Sequence, residues 1–432
     1  MGYSPVTISE VTASLRSFLG SLHASFSSHR SASKLEVVSL YTSLAAERLV
    51  PFDRDYAARI PARRGDDSIF LSLASYRDEN CLPTLSEAYA KSANPHKLFV
   101  GLVQQNCEAG CKTGVLDGGK VEDAPPDDDC GKLFCEARPD LCGQVTTFRI
   151  DEAEALGPYF ARYVGSKLWQ GESWYMQIDS HMTFLQDWDL KSVEMLRAAP
   201  ASKPVLTHYP PAHDDKKGLG GVGPRICDPV IADSAIEAQI VRLKGAPKYE
   251  KTVSAVPRFA PFVAAGYFVA HSSFLREVPF DPFLPYVFMG EEISMSARLW
   301  TAGYDMFSPS VAVTGHIYVR RHKPKFWETF GRVFNEREPG KDTATHNGVQ
   351  MLVIQRIKHM LGYPEAAADL VQPRAILEYM DDYGVGEERP LEDYMAMVGI
   401  DVVRKSTTPG GNAWCHKGQP PPGFEQYKEL YT

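Results

Sequence analysis

In the run Tyr175-Met176-Gln177-Ile178-Asp179-Ser180-His181, an apolar stretch ends in a carboxylate and an imidazole two residues apart. In an extended strand, residues i and i+2 point to the same face, so Asp179 and His181 can reach one cation from the end of one strand. Both are ligand types for a divalent metal, and open sheets bind ligands beyond the carboxyl ends of their strands. A third ligand is expected from Thr314-Gly315-His316-Ile317-Tyr318-Val319-Arg320-Arg321. There His316 follows an apolar run and precedes arginines suited to phosphate oxygens. The chemistry this set predicts is charge stabilisation on a phosphorylated small molecule.

Two further stretches join the expected site. Phe288-Met289-Gly290-Glu291-Glu292 opens a helical pattern that runs to Trp300. Gly290 allows close backbone approach to a ligand, and Glu291, with Glu292 in reserve, is the carboxylate expected to take a hydrogen bond from a substrate hydroxyl. Ala74-Ser75-Tyr76-Arg77-Asp78-Glu79 ends an earlier apolar run. Ser75, Arg77 and Asp78 there are assigned to a nucleotide pocket, with helix capping by Asp78 or Asn80 an equal alternative for Asp78.

These residues need a scaffold, and the pattern supplies one. Residues 69–74, 98–103, 145–150, 174–178 and 205–209 read as strands, alternating with helical stretches at 83–91, 158–169 and 190–199. Strand and helix in turn predict an α/β fold, a mostly parallel sheet with helices on both faces. Further strands are expected at 262–271 and 311–313, and helices at 291–302 and 349–361. Residues 1–64 read as a helical extension broken at Pro51 and Pro61, residues 65–322 as the catalytic domain, and residues 323–432 as a helical region with a loose tail at Pro409-Gly410-Gly411 and Pro420-Pro421-Pro422-Gly423. Gly218-Leu219-Gly220-Gly221-Val222-Gly223 matches a dinucleotide fingerprint in letters only, because it runs into Pro224 and no helix follows. It is expected to be a mobile loop.

The blocks Asp-Ser-His, Met-Gly-Glu-Glu and Gly-His-Ile-Tyr-Val-Arg occur in the order seen in polypeptide N-acetylgalactosaminyltransferases, which the chain resembles distantly. A closer resemblance is to glycosyltransferase family 60, protein N-acetylglucosaminyltransferases that modify hydroxyproline or threonine. It is carried by Phe70-Leu71-Ser72-Leu73-Ala74-Ser75-Tyr76-Arg77-Asp78, Leu168-Trp169-Gln170-Gly171-Glu172, Gln177-Ile178-Asp179-Ser180-His181 and Trp300-Thr301-Ala302-Gly303-Tyr304-Asp305. The resemblance implies a GT-A fold, UDP-N-acetylglucosamine (UDP-GlcNAc) as donor, Mn2+ or a similar ion at Asp179, His181 and His316, and retention of anomeric configuration without an assigned protein nucleophile. The donor is expected against Asp179, Gly266, Gly290 and Arg320, with the acetamido pocket near 264–267 and Gly290. Met289-Gly290-Glu291 departs from the Trp-Gly-Gly-Glu of the galactosaminyl enzymes, so donor choice is not carried over from them.

Composition bounds the partners. Fifty-four acidic against 46 basic residues in 432 give a net charge of −8, with no global basic footprint for nucleic acid. No apolar run is long enough to span a bilayer. Five of eight cysteines fall between Cys107 and Cys142 in spacings that match no standard zinc pattern. Reduced thiols are expected, with loop disulfides second and a zinc knuckle third. None of the six asparagines begins a glycosylation sequon, and a cytoplasmic location is expected, the Golgi lumen being the alternative. The resemblance to family 60 implies hydroxyproline on a cytosolic ubiquitin-ligase adaptor as the acceptor, with Thr or Ser of a secretory mucin-like protein as the alternative. Two other classes compete: a metal-dependent phosphoester hydrolase, and a sugar-binding module using Trp169 and Trp174.

Overall fold

The computed structural model describes residues 4–29, 32–114, 120–215, 217–231, 239–245, 256–320, 323–329, 341–408 and 412–431. Lys216, Arg321 and Pro409-Gly410-Gly411 lie outside them. Two long helices come first, α1 (Ile8–Ser28) and α2 (Lys34–Ala58). Each begins with a capping box, Thr7 with Glu10 and Ser33 with Glu36, which satisfies orphan N–H groups of the first turn. Pro51 does not break α2 as expected; it lies inside the helix.

The chain then alternates through β1 (Ile69–Tyr76), α3 (Cys81–Ala90), β2 (Leu98–Asn106), α4 (Cys130–Ala137), β3 (Val145–Asp151), α5 (Pro158–Ser166), β4 (Trp174–Asp179), β5 (Met182–Phe184), α6 (Trp188–Ala198) and β6 (Pro204–Thr207). It continues through β7 (Asp228–Ile231), β8 (Val241–Lys244), β9 (Arg258–Phe259), β10 (Tyr267–His271), α7 (Phe274–Glu277), α8 (Glu291–Thr301), β11 (Asp305–Ser308), β12 (Thr314–His316), α9 (Phe326–Thr329) and α10 (Lys341–Met360). The strand expected at 262–271 shortens to β10, and the one expected at 311–313 falls three residues later as β12.

Eight strands form one sheet in the order β3-β2-β1-β4-β10-β6-β11-β9. Its pairings are parallel except at β10 and β9, so the expected mostly parallel sheet is present. Strand alternation feeds two cores. Phe70, Tyr175 and Phe268 pack on one face beneath α5 and α8, whereas Leu71, Met176 and Val269 pack on the other beneath α3 and α6. Strand order turns back between β1 and β4, where Ala74 lies opposite Asp179. That is the topological switch point at which such sheets take ligands.

The expected boundaries near 64 and 322 do not separate cores. One apolar cluster includes Phe18 and Tyr41, Phe160 and Tyr286, and Val353 and Ile357. Buried Asp53 on α2 accepts from Tyr163 Oη on α5 at 2.9 Å and Tyr383 Oη near the C-terminus at 2.7 Å, and pairs with Lys167 Nζ at 2.8 Å. One carboxylate thereby joins all three expected regions.

The reduced-thiol expectation is overturned. All eight cysteines are paired, as Cys81–Cys130, Cys107–Cys111, Cys135–Cys142 and Cys227–Cys415. The odd count within 107–142 resolves because Cys130 pairs outside that stretch, with Cys81 on α3. Among the described residues no helix is long and apolar enough to cross a membrane.

The glycine loop also differs from expectation. Gly220 N–H donates to Ala312 O at 2.9 Å, Gly223 N–H to Pro309 O at 3.0 Å, and Ala312 N–H to Gly221 O at 2.6 Å. It is pinned beside the approach to β12, with no helix after it.

Candidate metal centre

β4 delivers Asp179 to the switch point, and two residues later the chain enters β5, which pairs with β12. In that pairing His316 lies opposite Met182, so a two-stranded ribbon carries His316 back over His181. The ligand atoms of Asp179, His181 and His316 all fall within 4.8 Å of one another. His316 Nε2 is 3.3 Å and His181 Nε2 4.0 Å from Asp179 Oδ2, and the two imidazoles meet edge to face. All three side chains are partly exposed, so the centre opens to solvent.

The surroundings of the three residues suit a cation. Asp78 Oδ2, which has no exposed surface, lies 2.6 Å from His181 Nδ1. Burial would raise the Asp78 carboxyl, but the hydrogen bond with His181 and the charge of Arg320 hold it down at about 2. An ionised carboxylate only accepts, so His181 Nδ1 is the donor, and in the neutral imidazole that tautomer leaves the lone pair on Nε2. His316 Nδ1 is buried with no partner among the described residues. Asp179 too resists burial: the hydrogen bond from His316 and the charges of Arg162 and the histidines hold its carboxyl well below the usual range. One carboxylate and two imidazoles fit a divalent transition metal by type.

Arg162 was not singled out in the sequence. Its Nη2 donates to Asp179 Oδ1 at 2.8 Å, and its Nη1 donates to Glu291 Oε2. Asp179 Oδ2 is thereby the oxygen left to face the imidazoles. A signal existed: α5 is buried from Tyr159 to Ser166, so its one arginine needs an internal partner.

Glu291 is 3% exposed at the start of α8, with Arg162 against its carboxylate. Burial pushes its carboxyl up, and Arg162 opposes this. Glu292 takes Tyr209 Oη at 2.6 Å and Ala265 N–H at 3.0 Å, and burial pushes its carboxyl up to about 7.

Of the residues assigned to the donor, Gly266 lies against the centre: a β-carbon there would sit 2.6 Å from Asp179 Oδ2. Gly290 has φ +92°, and what lies close to its backbone is Ile357 and Ile240, not open space. Arg320 reaches inward, donating to Asp78 Oδ2 at 3.1 Å and to the carbonyls of Tyr76 and Pro324. Ser75 Oγ is buried without a partner among the described residues. Arg77 is a correction. Its guanidinium is fully buried, paired with Asp127 at 2.8 Å and Glu152 at 2.7 Å, and so does not face a diphosphate. Asp78 combines roles, because its Oδ1 takes the Asn80 N–H at 2.9 Å while Oδ2 serves His181. Trp169 is buried, donating to Glu172 O, and offers no sugar platform.

Residues 68–404 match the model of the family described as Glycosyltransferase (GlcNAc). The chain belongs to that family. The matched span takes in the whole centre, from Asp78 to His316. A search by sequence among curated proteins finds no match. Among solved structures it is similar to GalNAc-T7 with UDP, GalNAc and Mn2+ (14% identity, TM-score 0.45, 76% of this chain and 56% of that one). It is also similar to S. aureus TarS 1–349 in complex with UDP-GlcNAc (12% identity, TM-score 0.37, 82% and 92%). The chain thus spans a little over half the length of the GalNAc-T7 chain it matches.

Proposed function

We propose that this glycosyltransferase is a GT-A enzyme of the family 60 type, moving N-acetylglucosamine from UDP-GlcNAc to a protein hydroxyl with retention of configuration, and that Asp179, His181 and His316 hold its divalent cation. The observation that carries this is the meeting of three ligand atoms from β4, its following turn and β12 at the sheet's switch point, inside the family-matched region. A cation there offsets the negative charge that grows on the departing nucleoside diphosphate. The chain's own residues prepare the place: Asp78 fixes the imidazole of His181, and Arg162 holds one oxygen of Asp179. Glu291 then acts through Arg162, and its occupied carboxylate sets this role against the substrate hydroxyl expected from the sequence.

The acceptor reading shifts. Hydroxyproline on a cytosolic adaptor follows from the family resemblance, but four disulfides suit an oxidising compartment, where thiols are not kept reduced. They favour the second reading, Thr or Ser of a secretory protein. The test is a panel: UDP-GlcNAc, UDP-glucose and UDP-galactose with Mn2+, each offered peptides containing threonine, hydroxyproline or proline. UDP-GlcNAc with the threonine peptide is the expected pair. Cleavage of the donor to UMP and a sugar phosphate, unaffected by any hydroxyl acceptor, would instead support a phosphoester hydrolase.

A further inference from the structure

We propose that Glu292 is a positioning residue, a brace that ties the turn supporting Asp179 to the segment supporting His316 and so sets the spacing of the metal-binding side chains. This rests on the reading that those side chains hold a divalent cation.

One arm of the brace runs to Asp179. Glu292 Oε1 accepts the Ala265 N–H at 3.0 Å. The turn around Ala265 is held residue by residue: Val263 N–H donates to Ser296 Oγ at 2.8 Å, Ala264 N–H to Thr207 Oγ1 at 2.8 Å, and Gln177 Nε2 to Ala265 O at 2.6 Å. The next residue, Gly266, takes the Asp179 N–H on its carbonyl at 3.2 Å and lies directly against Asp179 Oδ2. A shift of this turn therefore moves the surface that the Asp179 carboxylate rests on.

The other arm runs to His316. Glu292 Oε2 accepts from Tyr209 Oη at 2.6 Å. Tyr209 opens the stretch Pro210-Pro211-Ala212-His213, which lies along β12. His316 N–H donates to Pro211 O at 2.8 Å, His213 N–H to His316 O at 2.9 Å, and Tyr318 Oη to Pro210 O at 2.7 Å. No hydrogen bond links the 263–266 turn directly to 209–213 among the described residues; the Glu292 carboxyl touches both. With both oxygens engaged by protein donors, the residue is placed to hold geometry and not to act on a substrate hydroxyl.

Groups that orient metal ligands typically change metal affinity by about 10- to 100-fold when removed, far more than a structural contact of the same size elsewhere. The test is Mn2+ binding to the full chain in the presence of UDP, followed by electron paramagnetic resonance of free Mn2+, with the thermal midpoint recorded beside it. Glu292→Ala is expected to weaken Mn2+ binding by about tenfold or more. Glu292→Gln is expected to stay within about threefold of wild type, because its amide oxygen still accepts the Ala265 N–H. Tyr209→Phe, which removes one hydroxyl, is expected to weaken binding in the same direction as Glu292→Ala and to decide the matter where Glu292→Ala does not fold. Folded Glu292→Ala or Tyr209→Phe with wild-type Mn2+ affinity overturns the brace while leaving the metal reading intact. A wild type that binds no Mn2+ overturns the metal reading, and the brace with it.

Discussion

His181 Nδ1 lies 2.6 Å from Asp78 Oδ2, and that carboxylate has no exposed surface. The contact decides which imidazole nitrogen is left for a cation. Asp78→Asn keeps the shape but offers an amide that fixes the ring less firmly and in either tautomer. It is expected to lower Mn2+ affinity by about 10- to 100-fold. Titration of Mn2+ with UDP present reads this directly.

Arg162 joins Asp179 to Glu291 in the interior. Arg162→Met leaves two carboxylates facing each other across an apolar gap. The expected loss is about 3–5 kcal/mol of stability, the range for breaking a buried ion pair by removing one partner. Arg162→Lys supplies a point charge without the planar fork and is expected to fall between Met and wild type. Urea unfolding of the three proteins ranks them.

Glu292 gives the fold a pH dependence of definite sign. Its ordinary value of 4.5 is raised to about 7 by burial, so the folded state holds a proton that the unfolded state releases between those values. Its contribution is complete below about pH 4.5 and is lost as pH rises through 7, by at most about 3 kcal/mol. Glu292→Gln removes this slope. Urea midpoints of wild type and variant at pH 5 and pH 8 should therefore differ more in the wild type.

Cys227–Cys415 closes a loop of 188 residues, tying the start of β7 to the C-terminal region. Long loops lose the most unfolded-state entropy when closed, so Cys227→Ser with Cys415→Ser is expected to cost about 2–4 kcal/mol. Intact mass before and after alkylation without reductant checks the pairing itself: no cysteine should react in the folded or denatured chain.

What the sequence disclosed follows from how local each signal is. Strands β1 to β4 were legible because buried parallel strands are short apolar runs, and a polar group at the end of such a run marks the sheet edge. Asp179 and His181 were read by spacing alone. Arg77 was misread because its partners Asp127 and Glu152 stand 50 and 75 residues away, so an arginine at a strand end looks the same whether it faces solvent or a buried pair. Cys81 and Cys130 were missed for the same reason, at a separation of 49. Arg162 was legible in principle, as the lone charge on a buried helix, but its targets depend on how α5 crosses β4.

A cation held by Asp179, His181 and His316 is central to the proposed transfer of N-acetylglucosamine. The most direct test is the release of UDP from UDP-GlcNAc, with an acceptor peptide present, by wild type and His316→Ala, with Mn2+ or with a chelator. Turnover is expected in wild type only with the metal, with a fall of about 100-fold or more in His316→Ala with its fold intact. Wild-type turnover that is equal in chelator, or a His316→Ala protein with unchanged rate and metal dependence, would contradict this role.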